Sequence, residues 1–336
     1  QELRSKVLYA GLGVFQESMD LLQNMTAEKD IVPQPTTGLS LLKQGQTILR
    51  TGVPSIDRLL RGGFLCRSVT EVCGEAGAGK TQLLLHLMVR CQFPQGQGGL
   101  GRKAVYVCTE GEPPMKRLQQ IAAFYKDELF SQWNGAHPCE NIFIEKAHTP
   151  AELEHVIESR LPRLLEQHSP GLVVIDSIAA PLRGDEAYQG CQESASRSEF
   201  LIKTSRLLKH LSSRFNCAVV TANQVTDSFS PNEDSSYTKR KQTKQAALGL
   251  TWSQGVNARL ILLRPTMNDD YLIDEVEEEG NPDIAPSFQA LKADKYSAGS
   301  IRSGSRRAKL LWSPWAPPGI CEFRIGFRGL ESDEMC

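Results

Sequence analysis

The sequence predicts an α/β fold with a mostly parallel central sheet, an antiparallel C-terminal extension and a short helical remnant at the N-terminus. Two observations carry this prediction. Short apolar runs alternate with amphipathic helical segments through the middle of the 336-residue chain, which is typical of a parallel sheet covered by helices on both faces. A glycine-rich segment at 74–81 also stands between one such run and the helix that follows it, as in strand–loop–helix phosphate sites.

The elements follow from this alternation. Strands of the parallel sheet are predicted at 69–73, 104–108, 142–144, 172–175, 218–221 and 259–263. Helices are predicted at 81–92, 115–125, 151–167 and 197–215. The third helix has the clearest start, because Thr149 can cap it and Glu152 completes a capping box, while Pro162 predicts a kink within it. Alternating strands at 309–312 and 322–327 predict the antiparallel extension.

The domain division follows from where the alternation starts and where it is interrupted. It predicts a helical remnant at 1–30, a linker at 31–50 and the core at 51–336. Three segments interrupt the core: polar ones at about 184–196 and 225–248, and an acidic one at about 268–285. Segments this long inside a compact domain are usually functional or disordered.

Composition excludes several classes of protein. The formal net charge of −1 gives the whole molecule no general attraction for nucleic acid, so DNA contact needs local basic patches. The nine cysteines show no Cys-x-x-Cys pair, which favours buried thiols in a reducing compartment over a disulfide framework or a zinc cluster. Since no stretch reaches eighteen apolar residues and no signal peptide opens the chain, we expect an intracellular protein without a membrane partner.

The segment 74–81 matches the phosphate loop Gly-x-x-x-x-Gly-Lys-Thr. Its glycines let backbone N–H groups approach phosphate oxygens, and the start of the next helix adds partial positive charge. We therefore predict ATP and Mg²⁺ as cofactors, with Lys80 at the β- and γ-phosphates and Thr81 at the metal. The predicted cofactor-binding residues here are Gly74, Glu75, Ala76, Gly77, Ala78, Gly79, Lys80, Thr81 and Gln82. A chance glycine-rich turn is the alternative, and the flanking strand and helix disfavour it.

Three polar residues follow predicted strands and are candidates for chemistry at the same edge of the sheet. Asp176 is expected to hold Mg²⁺ together with Thr81; a turn or cap residue is the alternative. Glu110 is expected to orient and polarise the attacking water; the alternative is a carboxylate at a helix N-terminus. Gln224 could sense the γ-phosphate, or simply cap a strand.

Basic residues in the two polar segments are candidates for DNA contact. Single-stranded nucleic acid needs cations along its phosphates and rings on which bases stack. The candidates are Arg183 and Arg197 beside the first segment and Lys239, Arg240, Lys241 and Lys244 in the second. A solvated basic loop is the alternative.

Several short sequence motifs, taken together, make the chain resemble the RecA-type recombinases of the eukaryotic and archaeal branch, and within that branch the recombinase paralogues. The resemblance covers about residues 51–330. Besides the phosphate loop, it rests on Thr51-Gly52, Thr109-Glu110-Gly111, Val174-Ile175-Asp176-Ser177 and Asn223-Gln224-Val225.

The resemblance implies a RecA-like ATPase core with weak DNA-dependent ATPase activity. Lys80, Glu110 and Gln224 would then be the catalytic residues, with Gln224 at the γ-phosphate, and Arg117 would lie near the adenine. The segments 184–196 and 225–248 would face single-stranded or branched DNA. It also implies a heterodimer with a second recombinase paralogue and support for the strand-exchange recombinase in homologous recombination, in the nucleus and also the cytoplasm.

One departure and two alternatives accompany this interpretation. Family members that self-polymerise carry Phe-x-x-Ala in the linker, where this chain has Pro35-Thr36-Thr37-Gly38, so long homofilaments by that route are not expected. One alternative function is a non-enzymatic adaptor that uses ATP as a clamp between subunits. A RecA-fold helicase motor is the other, and no helicase-specific phrase supports it.

Overall fold

The computed structural model describes residues 37–38, 45–126, 137–184, 194–229, 242–264 and 304–332. The chain divides into two compact units, Gln1–Gly45 and Gln46–Cys336, and the elements below belong to the second. The helical remnant predicted at 1–30 and the acidic segment at 268–285 lie outside the described residues. No helix in the described parts of the chain has the length and apolar character needed to cross a bilayer.

The strands lie close to the predicted positions. In chain order they are β1 (Ile48–Leu49), β2 (Phe64–Leu65), β3 (Ser68–Gly74), β4 (Ala104–Cys108), β5 (Ile142–Lys146), β6 (Leu172–Asp176), β7 (Ala218–Asn223), β8 (Val225–Phe229), β9 (Gln242–Ala246), β10 (Ala258–Leu263), β11 (Ser305–Trp312), β12 (Gly319–Gly326) and β13 (Gly329–Glu331).

Among the described residues, nine strands form the central sheet in the order β13-β12-β11-β10-β3-β7-β6-β4-β5. The neighbours from β10 through β5 are parallel. Strands β11, β12 and β13 continue the sheet in antiparallel pairing. The prediction of a mostly parallel sheet with an antiparallel C-terminal extension is therefore confirmed.

The helices cover both faces of this sheet. They are α1 (Pro54–Leu59), α2 (Lys80–Arg90), α3 (Met115–Phe124), α4 (Pro150–His155), α5 (Leu161–His168), α6 (Ala180–Gly184), α7 (Ser194–Arg214) and α8 (Gly249–Gly255). Strand β4 shows the two layers, because its side chains alternate between faces. Tyr106 packs in the core that contains α2 and α3, whereas Val105 and Val107 pack in the core formed by α4, α5, α7 and α8.

The third predicted helix has the predicted start, and its α-helical hydrogen bonding is interrupted just before Pro162. The Thr149 hydroxyl accepts a hydrogen bond from the Glu152 backbone N–H, and the Glu152 carboxylate accepts one from the Thr149 N–H, each at 3.2 Å. The capping box is therefore confirmed. A π-helical turn, Val156–Arg160, separates α4 from α5 just before Pro162, which has no N–H to donate to the preceding turn.

Three predicted boundaries differ from the structure. The segment 225–248, expected as a long loop, begins and ends as strands, because β8 and β9 pair antiparallel from Val225–Ala246 to Phe229–Gln242. Strands were predicted from runs of apolar residues. Because backbone hydrogen bonds hold a two-stranded ladder together, its side chains can be polar, and such strands give no apolar run in the sequence. Helix α7 begins inside the first predicted loop, 184–196, and β1 lies inside the predicted linker, 31–50.

Candidate nucleotide-binding site

The phosphate loop runs from the end of β3 to the first turn of α2, as the sequence predicts. Gly77 and Gly79 have φ angles of 74° and 104°, which an L-residue with a Cβ adopts only with strain. Gly79 also precedes the first residue of α2. The first N–H groups of that helix, which have no acceptor within the helix, therefore point toward the loop. A Cβ on Gly79 would lie 2.6 Å from the Ile325 Cδ1 atom, so β12 packs closely on the loop.

The Lys80 side chain folds back onto the first residues of this loop. Its Nζ atom donates hydrogen bonds to the carbonyl oxygens of Gly74, at 2.7 Å, and Glu75, at 2.9 Å. Burial lowers the pKa of the Lys80 ammonium from its ordinary value, and the nearby carboxylates of Asp176 and Glu110 oppose that shift. The ammonium is thus positioned within the loop, where a phosphate group can replace the carbonyl oxygens as its partner.

Asp176 and Thr81 are brought together from the ends of β6 and the start of α2. The Thr81 hydroxyl donates a 2.7 Å hydrogen bond to Asp176 Oδ2, and the Tyr106 hydroxyl donates a second, at 3.2 Å, to the same oxygen. Burial raises the pKa of Asp176, while these two hydrogen bonds oppose the increase. The interpretation of Asp176 as a mere turn residue is therefore disfavoured, since its carboxylate points at the phosphate loop.

This pair of oxygen donors fits magnesium. A hydroxyl and a carboxylate are the hard ligands that Mg²⁺ prefers, and Mg²⁺ commonly completes its shell with water and substrate phosphates. Among the described residues, no cluster of three or more His, Cys, Asp or Glu side chains could hold a metal ion on its own. A metal at Thr81 and Asp176 would therefore need oxygens from a nucleotide as well.

Glu110 lies at the same edge of the sheet, just beyond β4. The Thr109 hydroxyl joins the ends of β4 and β6, because it donates to the Ser177 carbonyl at 2.6 Å and accepts from the Ser177 N–H at 2.7 Å. The Glu110 side chain is 62% exposed, and its Oε2 atom lies 3.4 Å from Arg183 Nη2. Arg183, a predicted DNA-binding residue, thus contacts the predicted catalytic carboxylate.

Gln224 leaves the sheet beside the phosphate loop, since Cys73 of β3 pairs with Asn223 of β7. Its backbone N–H donates to Asn223 Oδ1 at 2.8 Å, and its carbonyl accepts from the Ala247 N–H at 2.9 Å. Asn223 Nδ2 in turn donates to the buried Glu71 at 2.6 Å. Gln224 therefore links the edge of the nucleotide site with the base of the β8–β9 hairpin.

Gln82 and Arg117 line a cleft of about 500 Å³ that opens beside Lys80 and Thr81, a volume suited to a small ligand. Arg117 donates to Gln82 Oε1 at 2.8 Å and to the Gly326 carbonyl at 2.6 Å. It therefore joins α3, α2 and the end of β12, and it forms one wall of the cleft.

The remaining predicted DNA-binding residues are placed unequally. The Arg197 Nη2 atom donates to the Ala247 carbonyl at 3.2 Å, which connects α7 to the end of β9. Lys239, Arg240 and Lys241 lie outside the described residues. For Lys244 the structure describes the backbone, within β9.

Several residues that contribute to the site were not predicted from the sequence. Tyr106 is 2% exposed and reaches Asp176 from the middle of β4. Arg306, Ile325 and Gly326 line the cleft from β11 and β12. The only available sequence signal was a tyrosine in an apolar run and a basic patch in the C-terminal strands, and neither indicates which loop it contacts.

Comparisons with known proteins agree with this geometry. A model of the Rad51 family matches residues 43–265. The DNA repair protein XRCC3 of Bos taurus is 36% identical over 307 residues, which cover 88% of this chain and 79% of that protein. The DNA repair protein XRCC3 homolog of Arabidopsis thaliana is 30% identical over 298 residues, covering 84% and 92%. The DNA repair protein rhp57 of Schizosaccharomyces pombe is 29% identical over 245 residues, covering 65% and 69%.

The family match spans the phosphate loop, Glu110, Asp176 and Gln224, and the similarity to XRCC3 proteins extends over most of the chain. The RecA-like fold and the resemblance to a recombinase paralogue of the XRCC3 type are therefore confirmed. This chain belongs to the Rad51 family.

Proposed function

We propose that this chain is an ATP-binding recombinase paralogue that acts in DNA repair by homologous recombination. The single observation that carries the proposal is the meeting of Lys80, Thr81 and Asp176 at one phosphate loop. An ammonium, a hydroxyl and a carboxylate in this arrangement suit a triphosphate with its magnesium ion. The relatives named as DNA repair proteins support the biological role.

In this proposal each residue has a defined task. The N–H groups at the start of α2 and the Lys80 ammonium bind the phosphates. Thr81 and Asp176 hold Mg²⁺, which supplies charge neutralisation at the phosphates when bound. Glu110 accepts a hydrogen bond from the attacking water and orients it, and Gln224 responds to the γ-phosphate through its position between the loop and the β8–β9 hairpin.

We further propose that the chain binds DNA and two protein partners. Arg183 and Arg197 flank the first polar segment, and the second begins and ends in the β8–β9 hairpin. The two segments would contact single-stranded or branched DNA. The protein partners would be a second recombinase paralogue, in a heterodimer, and the strand-exchange recombinase. The expected location is the nucleus, with the cytoplasm as a second site.

The test of nucleotide binding compares Lys80→Ala with Lys203→Ala. Lys203 lies on α7 and pairs with Glu158 at 2.6 Å, so its loss removes an equal charge away from the loop. Removing a charged partner of this kind changes affinity by about 100-fold or more. We expect Lys80→Ala to lose that much affinity for labelled ATP with Mg²⁺ in equilibrium dialysis, and Lys203→Ala to match the wild type. Absence of saturable ATP uptake by the wild-type chain, alone and with its partner, would contradict the proposal.

A second candidate function, an adaptor that holds ATP as an intersubunit clamp, is favoured by one contact. The Glu110 carboxylate faces Arg183 at 3.4 Å, so the residue expected to orient water has a cation as its partner. ATP turnover by the chain alone and by the chain with a partner paralogue separates the two functions. Turnover that Glu110→Gln abolishes supports the ATPase, whereas ATP binding with no turnover in either sample supports the adaptor.

A further inference from the structure

Arg306 of β11 lies in the wall of the cleft that contains Lys80 and Thr81. Its Nη2 atom lies 3.3 Å from the carbonyl oxygen of Gly77, inside the phosphate loop, and its Nη1 atom donates to the Ser305 carbonyl at 2.6 Å. The sheet order explains this approach. Strand β11 pairs with β10, which pairs with β3, the strand that leads into the loop.

Among the residues that the structure describes, Arg306 contacts no carboxylate. Its two acceptors there are neutral carbonyl oxygens, and its buried Nε atom has no hydrogen-bond acceptor among the same residues. A buried donor without an acceptor is unfavourable. A purely structural arginine would be expected to satisfy such a donor or to face a carboxylate.

A second cation stands beside it. A Cβ added to Gly77 would lie 3.5 Å from the Arg264 Nη1 atom, so the Arg264 guanidinium also borders the loop. Burial lowers the pKa of Arg306, and the charge of Arg264 lowers it further. Two like charges gathered at one loop repel each other, and an anion placed between them and the loop relieves that repulsion.

We infer that Arg306 is a second phosphate-binding cation of the nucleotide site, contacting a phosphate oxygen of the bound nucleotide from β11 while Lys80 does so from α2. The inference rests on the proposed function of the loop. A guanidinium suits this task because it remains charged when desolvated and can offer two parallel N–H donors to one phosphate.

The test uses the purified chain, labelled ATP with Mg²⁺, and inorganic pyrophosphate as a competitor. Arg306→Gln removes the charge. Arg307→Gln is the matched control, because the next residue along a strand points to the other face and Arg307 pairs with Glu322 at 3.0 Å. We expect Arg306→Gln to weaken ATP and pyrophosphate about tenfold or more, and Arg307→Gln to stay within about twofold of the wild type.

The unfolding temperature without nucleotide separates phosphate binding from a structural role. Loss of the repulsion with Arg264 should leave that temperature of Arg306→Gln unchanged or raised, whereas a structural clamp on Gly77 would lower it. If Arg306→Gln does not fold, Arg306→Met keeps the aliphatic part of the side chain, and the same tenfold loss is expected.

The outcomes are distinguishable. Equal affinities of Arg306→Gln and Arg307→Gln for both probes would overturn the inference and leave the proposed ATP site intact. A loss confined to ATP, with pyrophosphate unchanged, would also overturn it, since the contact would then not be to phosphate. A wild-type chain that binds neither probe would overturn the proposed function, and this inference with it.

Discussion

Charged groups in the middle of β3 and in the loop that follows it differ in burial and in the partners they have. In the middle, the fully buried Glu71 forms an ion pair with Arg259 of β10 and accepts a 2.6 Å hydrogen bond from Asn223 of β7. At the end, the strand becomes the phosphate loop, where the Lys80 ammonium bonds two neutral carbonyl oxygens and lines an open cleft. The same strand thus holds a closed charge cluster, defined as Glu71, Asn223 and Arg259, and leads into an open one, defined as Lys80, Thr81 and Asp176.

Helix α2 repeats this arrangement. Its first residues, Lys80 and Thr81, line the cleft, whereas His86 in its middle is 1% exposed. The Leu330 backbone N–H donates to His86 Nδ1 at 3.3 Å, so Nε2 carries the proton and donates to the Thr51 carbonyl at 2.8 Å. The middle of the helix is again satisfied by protein partners.

Charged and polar groups in the middle of a strand or helix have a different task from those at its end. Groups in the middle of an element satisfy one another and fix the positions of strands and helices, while groups at its end can exchange a protein partner for a ligand. The closed cluster also supports the open site directly. Asn223 accepts the N–H of Gln224, and Arg259 donates to Ser253 Oγ at 2.6 Å. The position of Gln224 therefore depends on a buried ion pair whose residues do not line the cleft beside Lys80.

The largest predicted effect is loss of the closed cluster. Glu71→Ala leaves the Arg259 guanidinium, whose side chain is 11% exposed, without its carboxylate. Breaking a buried pair in this way lowers the free energy of unfolding by about 3–5 kcal/mol. Urea unfolding at pH 7 measures it. The control Glu322→Ala removes the partner of Arg307 in a partly exposed pair, for which a loss of about 1 kcal/mol or less is expected.

A double variant sharpens this prediction. Replacing both Glu71 and Arg259 by methionine removes the unpaired charge, so it should recover much of the lost stability. A Glu71→Ala variant no less stable than Glu322→Ala would show that the ion pair does not support the sheet, and the distinction between closed and open clusters would then fail.

The two kinds of cluster also differ in how far the sequence could predict them. The phosphate loop and the Thr149–Glu152 capping box are contiguous, so their spacing alone identifies them. The ion pair between Glu71 and Arg259 joins residues 188 apart, and the contact between Arg306 and Gly77 joins residues 229 apart. Such contacts depend on strand order and register, which no local pattern encodes.

The parallel strands were predictable because burial on both faces makes them continuously apolar, as in β6, Leu172–Asp176. The placement of Asp176 and Glu110 at one edge of the sheet could be predicted because the carboxyl ends of parallel strands meet there. The β8–β9 pair could not be predicted from apolar pattern, since backbone hydrogen bonds hold it and its strands are largely polar. Tyr106 was missed because its ring packs in the core while its hydroxyl reaches the site.

The second predicted effect is acid sensitivity of the middle of α2. Burial lowers the pKa of His86 to about 4 from an ordinary 6.5. In the unfolded chain the imidazole takes up a proton as pH falls through 6.5, while the folded protein resists until about pH 4, so stability is lost across that window. The corresponding loss is about 3 kcal/mol.

Urea unfolding between pH 7.5 and 4.5 tests it with His86→Gln, whose amide can both donate and accept but does not titrate. The variant should lose less stability on acidification than the wild type. The control is His148→Gln, at an exposed site on the loop after β5. If the pH profile of His86→Gln coincides with that of the wild type, His86 is not the source of the acid sensitivity.

The smallest predicted effect concerns a carboxylate of the open site. Burial raises the pKa of Asp176, so the folded protein binds this proton more tightly than the unfolded chain. Stability therefore falls as pH rises from the ordinary 3.8 through the folded pKa, and the loss persists at neutral pH. Asp176→Asn removes the charge, and we expect the nucleotide-free protein to gain on the order of 1 kcal/mol at pH 7 and to lose the Mg²⁺-dependent part of ATP affinity.

The hydrogen bonds that each carboxylate accepts explain why asparagine should be tolerated in place of Asp176 but not in place of Asp57. Thr81 and Tyr106 both donate to Oδ2 of Asp176, so the asparagine carbonyl can take that position. Asp57 also has a raised pKa through burial, but it accepts from Thr51 on Oδ1 and from Gly52 on Oδ2. An asparagine NH₂ there must face an N–H or O–H donor, so Asp57→Asn should lose about 1–3 kcal/mol. Urea unfolding of the two variants should thus shift in opposite directions. Equal shifts would contradict the distinction between carboxylates whose two oxygens are satisfied by the protein, such as Asp57, and the carboxylate of Asp176 at the nucleotide site.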